Sequence, residues 1–187
     1  MRVSWETIPD GDLGTSATLA RMRALVDEAT RDPLVVQTAR RITEGAQDDL
    51  GRVELLVEWL RRHYRFVKDP VGYELLSAPR GLIEEAIRQG AFHGDCDDVV
   101  TTAAALAESV GIETRFRVLA PDRGPVSQAR GYTHVVIEFA AGGAWVPVDF
   151  TIPDAPIGWA PQGARQAVSR GGQLMAYTQV GYYRPRR

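Results

Sequence analysis

Apolar residues fall at helical spacing through the first half of the chain and at alternate positions through much of the second, with the change near Gly111. From Thr15 to about Arg31, Leu19, Met22, Leu25, Val26 and Ala29 recur every three or four residues, and Thr15 and Ser16 stand ahead of them as caps. Asp32 followed by Pro33 at the first helical position opens a second helix, on which Leu34, Val35, Ala39 and Ile42 run to Gly45. A third starts near Asp48, buries Val53, Leu56, Val57 and Leu60, and gives way to an extended Tyr64–Val67. Lys68–Gly72 is turn chemistry. Ser77-Ala-Pro-Arg then starts a short helix with Leu82, Ile83, Ala86 and Ile87 facing inward and Gly90 ending it. Asp95 caps an alanine-rich helix from about Cys96 to Ser109, closed by Gly111 where a left-handed residue is wanted.

Beyond Gly111 the period falls to two. Ile112–Leu119, Tyr132–Phe139 and Ala144–Thr151 predict three strands, with Pro121–Arg130 a polar loop. Past Pro153 the chain is rich in Gly and Pro until a final strand at Leu174–Tyr183. Helices followed by strands predict an α+β fold in one domain spanning 1–187. Its helical part covers about 15–110, its sheet about 111–155, and 156–187 form an irregular extension. Neither repeats nor a linker interrupt it.

The 187 residues are 44% hydrophobic and 25% charged, ordinary for a globular protein with a real core. A net charge of −2 provides no basic field for nucleic acid or an anionic membrane surface. The cations at Arg184, Arg186 and Arg187 read as a solvated terminus. The first residues lack a secretory apolar core, and no stretch approaches the ~20 apolar residues of a membrane span. The expectation is a protein made for the cytoplasm. One cysteine excludes an internal disulfide, so Cys96 is core filler, ligand or nucleophile.

Its surroundings, Gly94-Asp95-Cys96-Asp97-Asp98, put it at a helix start, where free N–H groups and the helix dipole favour thiolate. The three aspartates oppose that charge, so activation requires a nearby imidazolium. On the strand of His134, Thr133, Val135, Ile137 and Phe139 form the apolar face and His134 points the other way, with Tyr132 and Val136. In the next strand Asp149 likewise sits on the less apolar face. A four-residue loop, Ala140–Gly143, pairs Phe139 with Ala144 and sets His134 directly opposite Asp149, with Cβ atoms ~5 Å apart. A slip of one residue would separate them by face.

Thiol, imidazole and carboxylate then have the division of labour of a catalytic triad. The Cys96 N–H would serve the oxyanion, and Trp59, Tyr64 and Tyr73 are candidates for a second donor, Tyr64 first among them. Other readings weigh against this. A lone cysteine is often a small hydrophobe, His134 a structural histidine, and Asp149 the end of a hairpin. A zinc set would join His93, Cys96 and His134 with His63 or Asp149, at a spacing unlike the well-marked zinc patterns. Asp97 and Asp98 read as solvated acids of the first turn. Trp145, Tyr132 and Tyr73 suit a cleft or a core equally.

Gly94-Asp-Cys-Asp-Asp, the alanine-rich helix with Leu106, Gly111-Ile-Glu-Thr-Arg115, Thr133-His134-Val and Trp145-Val-Pro-Val-Asp149-Phe-Thr151 together resemble the transglutaminase-like superfamily, over about residues 50 to 155. The resemblance implies a papain-like α+β fold with the Cys96 helix packed on an antiparallel sheet, and Cys96, His134 and Asp149 as a triad acting on an amide in a protein or peptide substrate. Asp149-Phe-Thr stands where the family usually has Asp-Pro-Thr, and His134-Val-Val where His-Ala-Trp is common. The longer run from Tyr64-Arg-Phe-Val-Lys-Asp-Pro through Ser77-Ala-Pro-Arg is similar to family members in phage and prophage genomes, which implies phage structural proteins as partners and a virion-associated location. Gly-Asp-Cys-acid is also similar to calcium-dependent bacterial cysteine proteases of this type, with Asp95 and Asp97 at the ion-binding positions. Two carboxylates fall short of the six to eight oxygens calcium takes, and Asp95 already has work as a cap, so no cofactor is the first expectation.

Overall fold

The computed structural model describes residues 7–70, 73–120, 131–162, 165–170 and 173–176. Its helices are α1 Gly11–Ala29, α2 Pro33–Ile42, α3 Asp49–His63, α4 Pro79–Gln89 and α5 Cys96–Glu108. Its strands are β1 Tyr64–Phe66, β2 Phe92–Gly94, β3 Thr114–Ala120, β4 His134–Ala141, β5 Ala144–Val148, β6 Arg165–Arg170 and β7 Gln173–Ala176. The loop Pro121–Arg130, the turn residues Val71 and Gly72, and the cationic terminus lie outside the described residues.

Three helices start as their capping residues require. Asp32 accepts from the Leu34 N–H at 2.8 Å, Asp48 from Gly51 at 2.8 Å and Asp95 from Asp97 at 3.1 Å. Helix α1 differs from expectation. It begins four residues early, so Thr15 and Ser16 lie inside it and bond back to the carbonyls of Gly11 and Asp12 instead of capping. Ile87, expected inward on α4, is 57% exposed.

Helix α5 is the centre of the fold. Every residue from Asp97 to Ala107 is buried, and α1, α2, α3, α4, β3 and β4 all pack on it. Ala103, Ala104, Ala105 and Ala107 make this possible, since side chains of one carbon let neighbours approach from every side.

The main sheet is antiparallel in the order β5-β4-β3-β6-β7. Phe116, Val118, Ile137, Phe139, Val146 and Val148 turn one face to the helical core. The other face, the less apolar one in sequence, is covered too: Val136 packs with Leu119 and Ala160, and Glu138 is fully buried. Glu138 takes Arg115 at 2.6 Å and Arg117 at 3.2 Å, and Arg115 lies 4.1 Å over the Trp145 ring.

Residues beyond 156, expected to be irregular up to Leu174, supply β6 and β7. Strand β6 shows no period because only Ala167 and Val168 are apolar; pairing with β3 holds it. The expected strand Leu174–Tyr183 coincides with β7 over 174–176, and its remainder is outside the described residues.

The β4–β5 hairpin corrects the expected register. Its turn is the two-residue Gly142-Gly143, with φ of 59° and 76°, which pairs Ala141 with Ala144 and Phe139 with Val146. Two consecutive left-handed residues match the twist of a tight hairpin, and Gly-Gly adopts them without a Cβ penalty. The pairing is therefore shifted by two residues, and β5 ends at Val148, ahead of Asp149. No helix among the described residues is long and apolar enough to cross a membrane.

Candidate active site

Cys96 is placed by a short parallel pairing that the sequence does not announce. Strand β1 lies beside β2, with Tyr64 opposite Phe92 and Phe66 opposite Gly94, and the Val67 N–H adds a 2.8 Å bond to the Gly94 carbonyl. Strand β2 thus runs directly into the first turn of α5. Gly94 is required there, because a Cβ would come within 2.5 Å of Asp98 Oδ2 and 2.6 Å of Asp98 Cβ. Asp98 folds back over Gly94 to accept the Ser77 N–H at 2.8 Å. Cys96 is half-buried at the first position of the helix, where its N–H has no partner within α5.

His134 opens β4. Its Nε2 lies 2.9 Å from Asp149 Oδ2, which fixes Nε2 as the donor to the carboxylate. Nδ1 is not engaged by Asp149, and Cys96, which lines the same cleft, is the other side chain that raises the ring. The shifted register does not separate His134 from Asp149, because a shift of two keeps the face and the chain bends after Val148. Asp149 Oδ1 accepts both the N–H of Thr151 at 2.8 Å and its hydroxyl at 2.7 Å, so both carboxylate oxygens have partners although Asp149 is only 2% exposed. Thr151 stood in the sequence only as part of the Asp149-Phe-Thr motif, with no role assigned, although Asp-x-Thr is a recognisable local carboxylate clasp.

Burial disfavours charge on His134, but the bonds to Asp149 and Cys96 and the attraction of both outweigh it and raise the ring to about 9. Burial likewise works against the Asp149 carboxylate, and the donors on His134 and Thr151 reverse this and hold it below the usual range. At neutral pH an imidazolium therefore stands between a carboxylate and the sulfur.

Tyr64 donates its hydroxyl to the Asp95 carbonyl at 3.1 Å, which braces the backbone entering Cys96. Burial, then the influence of Cys96, pushes this hydroxyl up and keeps it a phenol. Its one proton is committed to Asp95. Trp59 stacks on His63 at 4.5 Å and belongs to α3, and Tyr73 lines the cleft.

Asp97 and Asp98, expected to be solvated, are 4% and 3% exposed. A helix enclosed on all sides buries its first turn along with the rest. Burial, with the acids Asp95 and Glu74 close by, holds Asp97 far above the usual carboxylate range and favours its neutral form. Burial also lifts Asp98, to about 6, although the Ser77 N–H works against it. Glu74 is the other residue here that sequence patterning missed, because it sits in an aperiodic loop.

Carboxylate oxygens of Asp95, Asp97 and Asp98 lie within 4.8 Å of one another, the one such cluster among the described residues. They are hard donors of the kind calcium takes. Asp95 Oδ1 and Asp98 Oδ1 already accept N–H groups, so an ion would use the remaining oxygens and complete its shell with water. The zinc set is not assembled: His93 Nδ1 meets Glu85 at 2.9 Å and His63 Nδ1 meets the Trp59 carbonyl at 2.7 Å.

Cys96 and His134 open on a cleft of about 700 Å³. Its far wall is the start of α1 with residues 7–10, its rim Tyr73 and Glu74, and its floor the beginning of β4. The α1 wall is tied to the sheet: the Tyr132 N–H donates to Thr15 Oγ1 at 3.3 Å, Asp12 pairs with Arg165, and Arg165 lies 4.4 Å over the Tyr132 ring.

A solved structure shares the fold. A candidate protease from Parabacteroides distasonis superposes with a TM-score of 0.62 at 12% identity, covering 86% of this chain and 30% of that one. A candidate cysteine protease from Cytophaga hutchinsonii covers 63% of this chain and 36% of its own at 15% identity, with a TM-score of 0.46. The chain thus spans about a third of the length of either structure. No curated protein matches it in sequence. The transglutaminase-like superfamily matches residues 36–150, a span that takes in the Cys96 helix, His134 and Asp149. The chain belongs to the transglutaminase-like superfamily.

Proposed function

We propose that the protein is a cysteine-dependent hydrolase or acyltransferase acting on an amide bond of a protein or peptide through Cys96, His134 and Asp149. The observation that carries this reading is His134 itself, held at 2.9 Å by Asp149 through Nε2 and lining one cleft with Cys96.

In this reading the sulfur, its proton resident on His134, attacks the amide carbon. The oxyanion that forms lies against the Cys96 N–H at the helix start. His134 passes its proton to the leaving nitrogen, the C–N bond breaks, and a thioester remains. The neutral ring then takes a proton from water, which attacks the thioester to release the carboxylic acid and restore the thiolate–imidazolium pair. An amine in place of water gives a new amide. Tyr64 acts by bracing Asp95. Calcium on Asp95 and Asp97 would supply positive charge beside the sulfur, offsetting the acids there. No step above requires it.

The test is the rate of Cys96 alkylation by iodoacetamide between pH 5 and 9. The expected result is fast alkylation near neutrality that drops by roughly tenfold or more in His134→Ala, with a smaller drop in Asp149→Asn. The same assay after EDTA treatment should match the untreated protein. An alkylation profile like that of glutathione, unchanged by His134→Ala, would overturn the reading. It would leave a phage-associated structural or assembly protein of this fold, virion-associated and without activity.

A further inference from the structure

The charge of the cleft bears on what enters it, given the function proposed above. Asp10, Glu74 and Asp95 line it beside Asp97, which holds its proton, and no Lys or Arg does among the described residues, although the chain carries 22 of these cations. The acids come from three separate places: the segment before α1, the loop before α4 and the start of α5. Convergence of that kind is not a by-product of one acidic helix turn. Asp10 precedes α1 yet makes no capping bond, so its carboxylate is not used on the helix. Asp97 reaches the cleft while 4% exposed, and its Oδ1 is buried with no hydrogen-bond partner. A buried acceptor left unmatched is unfavourable until a donor arrives.

The remaining surface suits the stem of a long cationic side chain. Ile8, Met22, Val118 and Val135 provide an apolar wall, and the Tyr73 ring stands at the rim beside Glu74, 60% exposed. Methylenes pack on such a wall, and a guanidinium or ammonium is attracted to an aromatic face. We propose that the cleft selects polypeptides carrying lysine or arginine next to the scissile amide, with the cationic head received by Glu74 and Asp95. Among the described residues His134 is the one ring cation in the cleft, and it is held by Asp149, so it does not cancel the acidic side.

Two measurements test this without relying on turnover. The first compares the reaction of Cys96 with methanethiosulfonates carrying a trimethylammonium or a sulfonate group, in EDTA, relative to the same ratio for glutathione. The cationic reagent should be favoured about tenfold, the preference should fall in Glu74→Gln and in Asp10→Asn, and it should collapse near 1 M salt, where the screening length is about 3 Å. The second measures the affinity of labelled peptides for Cys96→Ala, with Lys, Ala or Glu at one flanking position. The Lys peptide should bind about tenfold tighter, and Glu74→Gln should weaken it while leaving the Ala peptide unchanged. Equal affinity for all three peptides overturns the proposal, as does a reagent ratio equal to that of glutathione. A cationic preference that millimolar calcium abolishes also overturns it, since the oxygens then serve an ion. Failure of the proposed function itself would show elsewhere, as His134-independent alkylation.

Discussion

His134 holds its proton more tightly in the folded chain than an unfolded histidine does, and that difference fixes a pH dependence of stability. The ring sits at about 9 when folded and near 6.5 when free. Between those values the folded state binds the extra proton, so its contribution is complete below about 6.5 and is lost as pH rises through 9. Urea denaturation at pH 6, 7, 8 and 9 should show stability falling across the series, with His134→Gln flattening that part of the slope. A slope identical in the variant would assign the loss to other groups. Asp149, held low, acts in the opposite direction but at acidic pH, where its contribution disappears as it is protonated. At this scale the sequence was uneven. Cys96, His134 and Asp149 stood out because residue type, helix start and strand face pointed to one place. Asp97 and Asp98 did not, because acids in a first turn have the same pattern whether the helix end is wet or enclosed, and only the packing around α5 decides.

Elements were legible where a period or a cap marked them. Asp32, Asp48 and Asp95 announced three helix starts, and the alanines of α5 announced a helix without saying that everything else would pack on it. The three-residue pairing of β1 with β2 left no period to read, and β6 left almost none. The hairpin shows how a register is lost. Ala140-Ala-Gly-Gly allows a four-residue loop or a two-residue turn, and the left-handed geometry of both glycines decides for the latter. This predicts unequal substitutions. Gly142→Asn, which retains an Asn-Gly turn, should change stability little, whereas Gly143→Val should cost about 1–2 kcal/mol for a β-branched residue at φ 76°. Paired thermal and denaturant unfolding would check it. Equal effects from both would mean that the turn is not held in this geometry.

On the scale of the whole molecule, the cleft exists because the first turn of α1 is carried across to the sheet and docked beside His134. No local pattern can show such a contact, since Thr15 and Tyr132 are 117 residues apart. Gly131 lies at this contact. Its φ is 76°, and a Cβ there would stand 2.6 Å from both the Gly11 carbonyl and Thr15 Oγ1. Backbone cannot yield as a side chain can, so Gly131→Ala should push the start of α1 away from β4 and open the wall of the cleft. Gly45 is the matched control: its φ is 86°, yet a Cβ meets nothing within 4 Å, so Gly45→Ala carries the left-handed strain of about 1–2 kcal/mol and no collision. Gly131→Ala should therefore be the more destabilised in urea, exchange the amides of residues 11–15 faster, and alkylate Cys96 faster than wild type. Gly45→Ala should leave Cys96 reactivity unchanged. If the two variants lose the same stability and alkylate alike, α1 does not wall the cleft through this contact, and access to Cys96 is set by Tyr73 and Glu74 on the opposite rim.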